Sequence, residues 1–136
     1  LVVLSHAGSA RGGEPFAEPR AFAAVLQRHP RLTVVLAHLG GASWRQTPAL
    51  AEAFPEVAFD LCEIIEWTGA PKAPTHEELA RMIRQIGPER VMLGTDFPWY
   101  DLERTVELVM ALPVLSTEEK ERILGANALG LLDLPV

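Results

Sequence analysis

Four short apolar runs most constrain how this chain can fold, because each carries a polar residue at or next to its end and is followed by a stretch with helical spacing. The runs are Leu1 to Ser5, Leu32 to His38, Val57 to Leu61, and the strand inside "ERVMLGTD" that leads to Asp96. They are apolar throughout and do not alternate. That is the pattern of strands buried on both faces, as in a parallel sheet covered by helices.

The intervening segments read as helices. In "PRAFAAVLQRHP", Phe22, Val25 and Leu26 share one face and Pro30 stops the pattern. "WRQTPALAEAF" is expected to be helical, with a distortion near Pro48, and to end before Pro55. Thr75 and Glu78 have capping-box spacing at the start of a helix running to Ile86, and Ser116 with Glu119 repeats it near the carboxyl end. "LERTVELVMAL" supplies the helix after the fourth strand.

Such alternation predicts an α/β fold with parallel β/α units. It leaves two architectures: a small open doubly wound sheet, or a segment of a (β/α)8 barrel. The 136 residues suit one domain and leave no room for a second. A complete barrel typically needs about 250 residues, so four strands are half of one. The chain opens in mid-strand without an initiator methionine, which favours the segment.

In both architectures function gathers at the carboxyl ends of the strands. Those ends carry His6, His38, Asp60 and Asp96, with Gly8, Gly40, Gly41 and Gly94 close by. Ionisable groups at the ends of buried strands need partners. The partner is either a divalent metal, which neutral imidazole and carboxylate suit, or a mutual hydrogen-bond network.

Around this rim, Arg11 and Arg45 lie in loops where a guanidinium could hold a substrate carboxylate. Trp44, Trp67 and Trp99 stand where aromatic pocket walls or simple packing would place them. Cys62 reads as a buried apolar cysteine near the mouth, and His29 and His76 read as surface residues.

Several function classes rank low. A net charge of -6 with no basic patch argues against nucleic-acid binding. No phosphate loop with its lysine and no GxSxG elbow is present. A single cysteine, no apolar run of membrane-spanning length and no signal-like segment suggest a cytoplasmic protein with no membrane partner.

Taken together, "LSHAG", "HPRLTVVLAHLGG", "VAFDL", "GPERVMLGTDFPW" and "ILGANALGLL" resemble the carboxyl-terminal half of the amidohydrolase-related proteins. These are TIM-barrel metal-dependent hydrolases and decarboxylases of the amidohydrolase superfamily. The resemblance implies strands five to eight of the barrel, a small-molecule substrate that is carboxylated or cyclic, and a divalent metal, zinc first and manganese next. It implies His6 as a metal ligand, His38 as the histidine beside the reacting group, and Asp96 as a metal-contacting proton acceptor. An ion of that kind lowers the pKa of bound water far enough to make hydroxide available near neutral pH.

The family's first-strand His-x-His pair does not occur in this sequence. Two other readings therefore stand beside the first. One is a metal-independent lactonase in which His38 and Asp96 act without an ion. The other is a non-catalytic half-barrel whose open edges are covered by a homodimer or by the missing half.

Overall fold

The computed structural model describes residues 1–9 and 16–134, and three of the four apolar runs form strands buried within a parallel sheet. The strands are β1 (Val2–Ser5), β2 (Gly8–Ser9), β3 (Thr33–Leu36), β4 (Gly40–Gly41), β5 (Ala58–Asp60) and β6 (Val91–Met92). The helices are α1 (Ala23–Arg28), α2 (Thr47–Ala53), α3 (His76–Ile86), α4 (Leu102–Ala111), α5 (Thr117–Glu121) and α6 (Asn127–Leu131).

The main sheet has the order β1-β3-β5-β6, and each adjacent pair is parallel. A doubly wound sheet reverses its strand order at a switch point; this one runs in sequence order from edge to edge. The two faces of the sheet are also covered differently. Val34, Leu36, Phe59 and Val91 join one core with Leu26 of α1, Leu50 of α2, Ile83 of α3 and Val109 of α4. Val35, Ala58 and Met92 point the other way, against Val2 and against Ala128 and Leu131 of α6. With helices α1 to α4 in one core on one side, the architecture is that of a barrel segment.

Local chemistry accounts for most element boundaries. Both capping boxes form: Thr75 and Ser116 accept from the N3 amides while Glu78 and Glu119 reach back to the N-cap amides. Pro48 does not distort α2. It sits in the first turn, where its missing N–H is not needed, after a 3-10 turn at Trp44–Gln46. The closing helical segment is interrupted by a π-helical turn at Arg122–Ala126.

Two expectations are corrected. β1 is not buried on both faces: Leu4 is 68% and Val3 37% exposed, because β1 is the sheet edge and pairs only with β3 among the described residues. β6 is also shorter than the apolar run. The Leu93 N–H donates to the Ile123 carbonyl at 2.8 Å instead of to a strand, and Asp96 then takes a left-handed φ of 53°. Asn127 fastens the same region by donating to the Pro88 and Val91 carbonyls.

One side chain braces the amino-terminal end of the sheet. Arg90 donates from Nε to Val57 O (2.8 Å), from Nη1 to Ala51 O and Ile86 O, and from Nη2 to Phe54 O (2.9 Å). It therefore ties the entry to β5, the end of α2 and the end of α3 together.

At the opposite end, β2 and β4 continue β1 and β3 beyond His6 and His38, pairing Gly8 with Gly40 and Ser9 with Gly41. Gly40 has a φ of 90°, and a Cβ there would lie 2.7 Å from both Pro19 Cγ and Thr47 Oγ1. Thr47 Oγ1 is itself committed, donating to Leu39 O at 2.7 Å. Gly40→Ala is expected to destabilise the chain by about 2–4 kcal/mol, the sum of left-handed strain and overpacking. Urea denaturation measures this, and an unchanged midpoint would contradict the packing described. No helix among the described residues is long and apolar enough to cross a membrane.

Candidate active site

The site is built by three strand ends that leave extended geometry abruptly. His38 and Leu39 after β3, Glu63 after β5 and Asp96 after β6 all have positive φ, between 46° and 64°. Left-handed backbone at a non-glycine residue costs roughly 1–3 kcal/mol and persists only where surroundings impose it. Here Asp60, the last residue of β5, does much of the imposing. Its Oδ1 accepts from the His38 N–H at 2.9 Å, the Cys62 N–H at 3.1 Å and the Cys62 thiol at 2.7 Å.

His38 is buried at the centre of the site. Its Nδ1 lies 3.2 Å from Cys62 O, 3.1 Å from Cys62 Sγ and 3.6 Å from Glu63 Oε2. The His6 ring stands edge-on to it, with centroids 4.9 Å apart and planes at 65°, and His6 Nε2 is 3.2 Å from Gly8 O. Gly94 is required by the crowding: a Cβ there would approach Cys62 Cβ to 3.0 Å and Asp60 Cγ to 3.3 Å. Burial, reinforced by the Asp60 carboxylate, pushes the Cys62 thiol well above its usual range.

Among the described residues, two sets of three donors have ligand atoms all within 4.8 Å of one another. They are His38, Glu63 and Asp96, and His38, Asp60 and Cys62. The first set offers one imidazole nitrogen and two carboxylate oxygens, with Glu63 only half-buried. That chemistry fits a first-row divalent cation with positions left open for water or substrate. His6 belongs to neither set and reaches the site through its ring contact with His38.

The other sequence candidates are distributed more widely. Trp44 is buried in the main core, its indole N–H donating to Lys72 O. The Arg45 guanidinium lies 4.3 Å from the Trp44 ring centroid and 4.0 Å from Glu78. Trp67 donates to the Tyr100 hydroxyl at 2.7 Å, tying the loop after β5 to the loop after β6. Burial raises the Tyr100 pKa, a shift that this indole contact opposes. Trp99 is 76% exposed. Arg11 lies outside the described residues. Glu63 carries no mark of a site residue in the sequence, and Cys62 reads there as a buried apolar cysteine; their one signal is the pair of acids, Asp60 and Glu63, at the end of an apolar strand.

The parallel β/α frame, with its donor residues gathered at the strand ends, defines a TIM-barrel class of fold. A match to the amidohydrolase family extends over residues 1–134, and the chain belongs to that family. It is 34% identical over 125 residues to the 2-amino-3-carboxymuconate-6-semialdehyde decarboxylase of Dictyostelium discoideum, covering 83% of this chain and 34% of that protein. The chain thus spans about a third of the length of the curated relatives it matches.

Solved structures share the fold. An uncharacterised TIM-barrel protein from Bordetella bronchiseptica superposes with a TM-score of 0.81 at 23% identity, over 98% of this chain and 46% of that one. A dihydroxybenzoic acid decarboxylase from Polaromonas, with bound manganese and an inhibitor, does so with a TM-score of 0.60 at 18% identity. That match covers 85% of this chain and 38% of the other.

Proposed function

We propose that this chain supplies the carboxyl-terminal half of the site of a divalent-metal-dependent decarboxylase acting on a small unsaturated carboxylic acid. The observation that carries the reading is the convergence of His38, Glu63 and Asp96 donors within 4.8 Å at the ends of three neighbouring strands. The decarboxylase activity named for the curated relatives favours this reaction over hydrolysis.

Glu63 and Asp96 would hold the ion, zinc or manganese, with His38 beside them and His6 backing the His38 ring. When bound, the ion would supply Lewis acidity to a substrate oxygen. His38 acts as the acid, handing a proton to the carbon that bears the carboxylate. The carbon–carbon bond then breaks, its electron pair restores the conjugated system, and carbon dioxide leaves. Asp96 would accept a proton from solvent on the same rim and relay it to His38, restoring the proton that the substrate carbon consumed. The Asp60 carboxylate, accepting from the His38 N–H at 2.9 Å, holds that residue for the transfer.

The test is carbon dioxide release from hydroxybenzoates and amino-substituted dienoic acids, assayed on the metal-loaded protein and again after chelation. Release that needs Zn2+ or Mn2+ is the expected result. Lactone hydrolysis that survives chelation, with no carbon dioxide formed, would replace this reading with the metal-independent lactonase.

A further inference from the structure

We propose that Cys62, Asp60 and His38 form a second, thiolate-containing site for a thiophilic divalent cation of the zinc or cadmium class, sharing His38 with the oxygen-rich set. This does not depend on the decarboxylase reading.

The three donors are all buried and lie within 4.8 Å of one another. Cys62 Sγ stands between the other two, 2.7 Å from Asp60 Oδ1 and 3.1 Å from His38 Nδ1. A tetrahedral ion with metal–sulfur and metal–nitrogen bonds of about 2.3 and 2.0 Å needs the sulfur and nitrogen about 3.5 Å apart. The sulfur must therefore draw away from Nδ1 by about 0.4 Å and, with a metal–oxygen bond of about 2.1 Å, from Oδ1 by about 0.8 Å, which side-chain rotation supplies.

The ion would take the place of the thiol proton now shared with Asp60. One metal–sulfur bond forms, the sulfur–hydrogen bond breaks, and the proton leaves to solvent. Nothing is oxidised or reduced.

Two features show preparation beyond three adjacent side chains. Asp60 is oriented by the His38 and Cys62 backbone amides, the kind of outer support that holds a ligand in place. Gly94 keeps a side chain from crowding the donors, since a Cβ there would sit 3.0 Å from Cys62 Cβ and 3.5 Å from Asp60 Oδ2. A sulfur, nitrogen and oxygen set favours zinc and cadmium, whereas the set with two carboxylates suits harder ions such as manganese.

Cadmium titration of the full chain, followed by the ultraviolet thiolate-to-cadmium charge-transfer band, tests the proposal. Cys62 is the only cysteine in the sequence, so the band reports on this site alone. The band should saturate at one equivalent and vanish in Cys62→Ser. Asp60→Asn and His38→Gln should each weaken binding by roughly 10- to 100-fold, while Glu118→Gln, at an exposed position outside both donor sets, leaves it unchanged. Circular dichroism checks that each variant folds, and His38→Gln carries the test if Asp60→Asn does not. The proposal is overturned by absence of the band or by unchanged affinity in the folded Asp60 and His38 variants.

Discussion

Asp96→Asn is expected to lower metal-dependent turnover by about 10²–10⁴-fold, the range that a positioned proton-transfer group contributes. Asparagine has nearly the shape of aspartate and tolerates the left-handed φ of 53° found at this position, so the loop should survive the change. What disappears is chemistry. An amide does not accept a proton at neutral pH, and its neutral oxygen is a weaker ligand for a divalent ion than a carboxylate. Because the donor atom of Asp96 lies within 4.8 Å of those of His38 and Glu63, the amide also leaves those two with less charge to share around a cation. Steady-state carbon dioxide release gives the rate, and elemental analysis of the purified variant gives the metal content. Both should fall. Full activity with full metal content would remove Asp96 from the site. Trp99→Ala is the natural control: that side chain is 76% exposed and should change turnover little.

The second large effect concerns stability. Arg90→Ala should destabilise the fold by about 3–5 kcal/mol. Four backbone carbonyls, from Ala51, Phe54, Val57 and Ile86, accept from this one guanidinium, and all four lose that donor together. Hydrogen bonds to a charged donor contribute about 1.5–3 kcal/mol each, and water entering the vacated space returns part of the sum.

Burial lowers the Arg90 pKa, yet an arginine remains charged throughout the physiological range, so no pH dependence is expected from it. For a chain of this size the loss corresponds to a fall in Tm of about 10–20 °C. Lysine at the same position should recover only part of it, since an ammonium group cannot reach carbonyls on three separate elements at once. Arg104→Ala provides the comparison. Its ion pair with Glu107 is exposed on both sides, and its removal should change stability by less than about 1 kcal/mol. A Tm for Arg90→Ala within two degrees of the parent chain would show that the four contacts are not maintained in solution.

These two residues differ in how visible they were beforehand. Asp96 stood out because an acid at the end of an apolar strand has no folding reason to be there. Arg90 carries no such mark in "GPERVM": an arginine beside glutamate reads as a solvated charge, and its partners lie 4 to 39 residues away. Glu63 was hidden for a related reason. One among the chain's many carboxylates, it became a site residue only when a left-handed turn at φ 61° aimed it toward His38.

Sequence by itself determined what depends on near neighbours along the chain: the alternation of apolar runs with helical stretches, the two capping boxes, and the strand-end placement of His6, His38, Asp60 and Asp96. Period, caps and stops act over a few residues, so they can be read locally. The tertiary structure alone decided which donors meet. Parallel register set β3 beside β5 and β5 beside β6, bringing together residues 22 to 58 positions apart in sequence. It also decided that β1 lies at an open edge, with Leu4 exposed where an apolar run predicted burial. The physical reason is the same in each case. Side-chain direction at a strand end and the identity of the neighbouring strand come from hydrogen bonds between distant segments, and no local pattern encodes them.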